Sequence, residues 1–152
     1  MKSKINWLSW GNEAFLKSKK EEKPILLDLT AVWCHWCHVM DSASYSDDRI
    51  AQIINEDFVP VKVDIDERPD IRERYNMGGF PSTVFLNHDG EIMAGETYVP
   101  PERLKLVLEA VKIRYQKNPA VSGRSFANKE EKTERPMAKK TIDEEIIKEV
   151  LI

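Results

Sequence analysis

The sequence predicts an α/β protein, with one mixed central sheet flanked by helices and a polar C-terminal tail. Three observations predict it. A short, nearly continuous apolar run at 25–32 reads as a strand covered on both faces, and it hands over at once to a helix-like segment. Helical and strand-like patterns alternate through the first half, which is the order that lays helices on a sheet. Later, two apolar segments flank His88-Asp89-Gly90, whose Asp-Gly step signals an antiparallel hairpin, so the sheet cannot be purely parallel.

The elements follow in order. A first helix is expected over 12–22, with Asn12 as its cap, Ala14, Phe15 and Leu16 as its apolar stripe, and Pro24 as its stop. The strand at 25–32 comes next. A helix then opens at the cysteine pair and runs through Met40. Ser46, Asp47 and Asp48 form an N-terminal signal for another helix, whose Ile50, Ile53 and Ile54 share a face. Residues 58–65 alternate as a second strand, and Pro60 suits an edge or an irregular start. Pro69 fits the first turn of a helix that runs to Tyr75. Gly78-Gly79-Phe80-Pro81 is a turn-rich break, and strands at 82–86 and 91–99 form the hairpin. Pro101 opens a last helix with Leu104, Val107, Leu108 and Val111 on one face, ending near Asn118-Pro119.

A chain of 152 residues holds one domain of ordinary size and some extension. The domain is placed at 1–118. Residues 119–152 read as a polar, aperiodic linker with a short terminal helix starting at Thr141, leading into a further domain of a longer protein; a docking C-terminal helix is the competing reading. Hydrophobic content of 41% and charged content of 32% describe a globular chain. A net charge of −3 gives no footing for nucleic acid. No signal peptide and no membrane-spanning stretch is visible, so a cytoplasmic, reducing compartment is expected. There a Cys-x-x-Cys pair is catalytic or metal-binding rather than a static crosslink.

The pair is Cys34-His35-Trp36-Cys37-His38, and it contains the only two cysteines of the chain. At a strand-to-helix junction the free N–H groups and the helix dipole favour a thiolate on Cys34. Cys34 is then the exposed attacking sulfur. Cys37, one turn in, is the buried resolving thiol. His35 and His38 supply tunable positive charge nearby. Asp28, inside the preceding strand, is a candidate proton acceptor for Cys37 if burial lifts its pKa; the competing reading is a strand aspartate satisfied by hydrogen bonds. Trp33 and Trp36 flank the pair as rim residues for substrate, whereas Trp7 and Trp10 read as packing residues.

The spacing resembles the thioredoxin fold. Asp28 stands six residues before Cys34, Trp33 immediately precedes it, and Val63-Asp64-Ile65-Asp66 and Gly79-Phe80-Pro81-Ser82-Thr83 are similar to that fold's second long strand and cis-proline loop. A narrower resemblance joins Trp7-Leu8-Ser9-Trp10-Gly11-Asn12-Glu13-Ala14-Phe15, the cysteine motif, Asp66-Glu67-Arg68-Pro69-Asp70 and Gly95-Glu96-Thr97-Tyr98-Val99-Pro100 to the spermatogenesis-associated protein 20-like family. In that family a thioredoxin-like N-terminal domain precedes a large helical, sugar-hydrolase-like region. The chain departs from the family's habit at Asp28 and Trp33, and in the short stretch between Arg74 and Gly78; the first two look like true thioredoxins.

The resemblance implies a thioredoxin-like fold with Pro81 cis and facing the cysteines. Phe80 would then offer backbone groups to an extended peptide, as in strand addition. The expected function is thiol–disulfide oxidoreduction on protein or small-molecule disulfides, with no cofactor. The alternatives are a non-catalytic binding module of a larger enzyme, whose partner is a C-terminal helical domain, and a zinc site on Cys34, Cys37 and His38. Zinc lacks a second Cys-x-x-Cys for its fourth ligand. The c-type haem pattern Cys-x-x-Cys-His is also matched, but a buried strand and a proline loop beside it do not suit a small cytochrome.

Overall fold

The computed structural model describes residues 3–119. Its elements are α1 (Asn12–Glu21), β1 (Ile25–Thr30), α2 (His35–Ser42), α3 (Asp48–Asp57), β2 (Val59–Asp64), α4 (Pro69–Tyr75), β3 (Ser82–Leu86), β4 (Ile92–Glu96) and α5 (Pro101–Lys117). The four strands form one sheet in the order β2-β1-β3-β4. β1 pairs parallel with β2 and antiparallel with β3, and β3 with β4 makes the hairpin, so the sheet is mixed and thioredoxin-like. The polar stretch at 120–140 and the terminal helix expected from Thr141 lie outside the described residues.

β1 is central, and its side chains divide the molecule. Leu26 points into a core with Met40, Tyr45, Ile50, Ile54, Phe85 and the inner face of α5. Ile25, Leu27 and Leu29 point the other way, into a core with Ala14, Val61, Ile71, Tyr75 and Leu86. Burying a Leu or Ile on either face contributes about 1.5–3 kcal/mol, so both layers are needed to hold the sheet.

Several local readings change. Gly11, not Asn12, caps α1, and no side chain bonds the first turn. The helix ends before Pro24, because Glu22 takes a left-handed conformation (φ 55°) and Lys23 N–H closes back on the Ser18 carbonyl. The stripe of α1 is also rotated. Leu16 is exposed, while Ser18 is buried with its hydroxyl donating to the Lys23 carbonyl. A buried hydroxyl with a partner costs little, which lets a serine hold an apolar position. β1 stops at Thr30, two residues short of the apolar run, and Val32 lies in solvent.

Other features follow their residues closely. Asp47 caps α3, its Oδ1 accepting the Ile50 N–H at 3.0 Å. Pro60 sits on the edge strand. Its carbonyl accepts the Leu8 N–H and the Lys62 N–H donates to Leu8, so the missing proline donor faces away from β1 and breaks no ladder bond. Gly90 (φ 82°) makes the hairpin turn, and the buried Asn87 side chain fixes it by accepting from Asp89 and Glu91 N–H. The Phe80–Pro81 peptide bond is cis. No described helix is long and apolar enough to cross a membrane.

Candidate active site

Cys34 lies between the end of β1 and the first turn of α2. It is the N-cap of that helix, in extended conformation, and its Sγ accepts the Cys37 N–H at 3.2 Å. A sulfur in that place takes a hydrogen bond and the positive end of the helix dipole together, and both favour a thiolate once the pair is reduced. Cys34 and Cys37 are joined as a disulfide, with Cα atoms 5.3 Å apart. Cys34 is buried at 6% exposure rather than exposed as expected, though less deeply than Cys37 at 1%.

Around the pair, the sequence candidates separate into an outer and an inner set. Outside, Val32, Trp33 and Trp36 are more than half exposed, an apolar surface beside the disulfide. Trp33 is fixed by its Nε1, which donates to Asp66 Oδ2 at 2.7 Å. Trp36 rests against the Tyr98 ring at 5.2 Å and against His35 at 5.4 Å. His38 turns back toward the loop before the cysteines, its Nε2 donating to the Val32 carbonyl at 2.7 Å. Pairing of Leu29 with Ser82 puts Pro81 at the sheet end where the chain leaves β1 for Cys34. Phe80 there is half-buried under the Arg72 guanidinium, 5.3 Å from its ring. Among the described residues no three His, Cys, Asp or Glu side chains converge as a metal-binding group.

Inside is Asp28. It is 1% exposed, and neither carboxylate oxygen has a hydrogen-bond partner. Burial drives its pKa up to about 7, with Lys62 opposing the rise and Asp41 adding to it. The register sets Lys62 on one side of Asp28 and Thr83 on the other, all on the sheet face that α2 covers. Met40 of α2 touches that row through its sulfur, 3.8 Å from the Thr83 hydroxyl. Tyr45, after α2, is buried too, and burial pushes its phenol well above the usual range.

Sequence reasoning missed Lys62, Asp41, Tyr45 and Tyr98. Lys62 had a readable signal: it is the one charge in Val59-Pro60-Val61-Lys62-Val63, at the alternation position that faces the same layer as Asp28. Asp41 stands one helical turn after Cys37, which places it on the same side of α2. Tyr45 carried no such mark, and Tyr98 stood in the Gly95–Pro100 motif with no role read for it.

A mixed four-stranded sheet with a Cys-x-x-Cys disulfide at the mouth of the helix after its central strand defines a thioredoxin-like domain. The chain belongs to the family described as Thioredox_DsbH, protein of unknown function DUF255, whose model matches residues 1–134. It is similar to human spermatogenesis-associated protein 20, 42% identical over 106 residues, which cover 64% of this chain and 14% of that protein. The chain thus spans about one seventh of the length of such relatives. Among solved structures it resembles one titled DsbH oxidoreductase, with 26% identity and a TM-score of 0.57 over 63% of this chain and 74% of the other. It also shares its fold with a thioredoxin from Thermus thermophilus, at 19% identity and a TM-score of 0.63 over 73% and 91% of the two chains.

Proposed function

We propose that this domain is a thiol–disulfide oxidoreductase acting on protein or small-molecule disulfides. The observation that carries this is the Cys34–Cys37 disulfide at the N-cap of α2, with the less buried cysteine first. The family model and the structure titled DsbH oxidoreductase support the same reading. In the reduced protein the Cys34 thiolate attacks one sulfur of a substrate disulfide, and the other substrate sulfur leaves as a thiolate that water protonates. Cys37 then gives its proton to Asp28, and its sulfur attacks Cys34 Sγ. The bond from Cys34 to substrate breaks, the second substrate sulfur departs, and the Cys34–Cys37 disulfide closes. Two electrons pass to the substrate; the reverse sequence oxidises a dithiol. Val32, Trp33 and Trp36 form the apolar rim on which the substrate chain rests, and Phe80 and Pro81 line its other side.

Reduction of insulin or of a small aromatic disulfide, driven by dithiothreitol, tests this. The pair should titrate between about −270 and −180 mV, because the helix start and His35 favour the reduced form. Cys34→Ser should abolish exchange, and Cys37→Ser should trap a mixed disulfide through Cys34. A pair that never oxidises across that range sinks the proposal.

One observation favours a second reading. Relatives are about seven times as long as the matched region, so the domain also suits a non-catalytic module that binds a larger enzyme of the same chain. A normal potential with no turnover on any disulfide would select it.

A further inference from the structure

Between β1, β2 and α2 lies a polar cluster whose hydrogen bonds do not close. Besides both Asp28 oxygens, the buried Tyr45 hydroxyl and Trp7 Nε1 lack partners. Lys62 stands between two carboxylates, 3.9 Å from Asp28 Oδ2 and 3.6 Å from Asp41 Oδ1, too far to hydrogen-bond either. Its ammonium lies 4.9 Å from the Trp7 ring, which meets Tyr45 edge-on at 5.1 Å. The two carboxylates differ in their surroundings: the Asp28 side chain is 2% exposed and that of Asp41 is 41% exposed.

Resting on the exchange reading above, we propose that Asp41 is a positioning residue for that reaction. It holds Lys62 back from Asp28, so the buried carboxylate stays basic enough to take the Cys37 proton and later release it toward water. No electrons pass through Asp41 or Lys62. The proton that leaves Cys37 Sγ sits on Asp28 when the disulfide closes and goes to bulk water when Asp28 reionises. The charge logic is simple. A cation drawn close to an acid favours its ionised form and makes it a weaker base; a second anion competing for that cation reverses the effect. The groups set around Asp28 are Lys62 from β2, Asp41 from α2, Tyr45 from the turn after α2, and Thr83 from β3. The Thr83 hydroxyl is already committed to the Thr97 carbonyl at 3.0 Å. Asp41 is therefore the group able to compete for Lys62.

The test is a carbon-13 NMR titration of the Asp28 carboxyl in the oxidised full chain. Asp41→Asn, and Asp41→Ser as a second neutral variant, should lower its midpoint by roughly one pH unit. Asp41→Glu should restore it, and Lys62→Met should raise it above wild type. In the Lys62→Met background the Asp41→Asn effect should shrink at least by half, since it acts through the lysine. Stopped-flow resolution of a mixed disulfide should show its acid limb moving to lower pH by the same shift, with a lower plateau. An unchanged or raised midpoint in both neutral variants overturns the role of Asp41, as does an effect undiminished without Lys62. Wild-type protein that exchanges no disulfide at any pH overturns the underlying reading instead, and the assay reports that independently of the titration.

Discussion

Asp28 makes the fold less stable at the pH where it would act, and this is measurable. A carboxyl whose folded pKa is raised from 3.8 to about 7 binds a proton in the native state that the unfolded chain has lost. Between those values the native state holds more protons, so stability falls as pH rises and the penalty is complete above pH 7. At ~1.4 kcal/mol per unit, the penalty is on the order of 4 kcal/mol at most. Asp28→Asn, which keeps the shape and removes the charge, should therefore raise unfolding free energy by roughly 1–4 kcal/mol at pH 8. The gain should vanish near pH 4, where both side chains are neutral. Denaturant unfolding at the two pH values checks this, and equal stabilities at pH 8 would mean that Asp28 is better satisfied than its two orphan oxygens indicate. At this scale the sequence was half informative. Asp28, Cys34 and Cys37 are visible as chemistry at a fixed spacing from a strand. Lys62 is marked as a lone charge in an apolar strand, but Asp41 is an ordinary surface residue until helix phase brings the two to one point.

At the scale of elements, breakers and turn residues were the legible part. Pro69, Pro101 and the Asp89-Gly90 turn mark boundaries by backbone sterics alone, and α4, β3 and the start of α5 fall where those residues put them. The face of α1 was not fully legible, because Leu16 is exposed while Ser18 is buried on the partner offered by the Lys23 carbonyl. The segment before α1 was likewise unreadable as structure: Leu8 joins β2 through one parallel bridge, a contact set by the partner strand. A close approach in the hairpin gives a prediction. Gly95 of β4 faces Met77, and a Cβ there would meet the Met77 sulfur and, at 2.9 Å, its Cγ. Met77 is 5% exposed, and its N–H donates to the Ser82 hydroxyl just past Pro81, so it has little room to yield. Gly95→Ala should cost about 1–3 kcal/mol, read as a lower denaturation midpoint at unchanged slope. Adding Met77→Ala should cost less than the sum of the two single changes; strict additivity would show that the methionine is not what the new methyl strikes.

At the scale of the whole molecule, two cores on either face of β1 account for how nine elements close around one disulfide. Among the described residues, α5 covers the first from Leu104 to Tyr115, and α1 with α4 covers the second. Just past α5, Asn87 Nδ2 donates to the Pro119 carbonyl at 3.3 Å. The composition of 120–140 is polar and aperiodic. Truncation after Pro119 should thus change unfolding free energy by less than about 1 kcal/mol, a shift of no more than about 3–4 °C in the thermal midpoint for a domain of this size. Exchange activity toward a small disulfide should be retained, since Cys34, Cys37, Asp28 and the aromatic rim all precede that point. Calorimetry of the two chains decides between the readings of the C-terminus. A larger loss of stability would show that the segment expected as a helix from Thr141 docks onto this domain, whereas an unchanged midpoint leaves it free for another part of a longer protein.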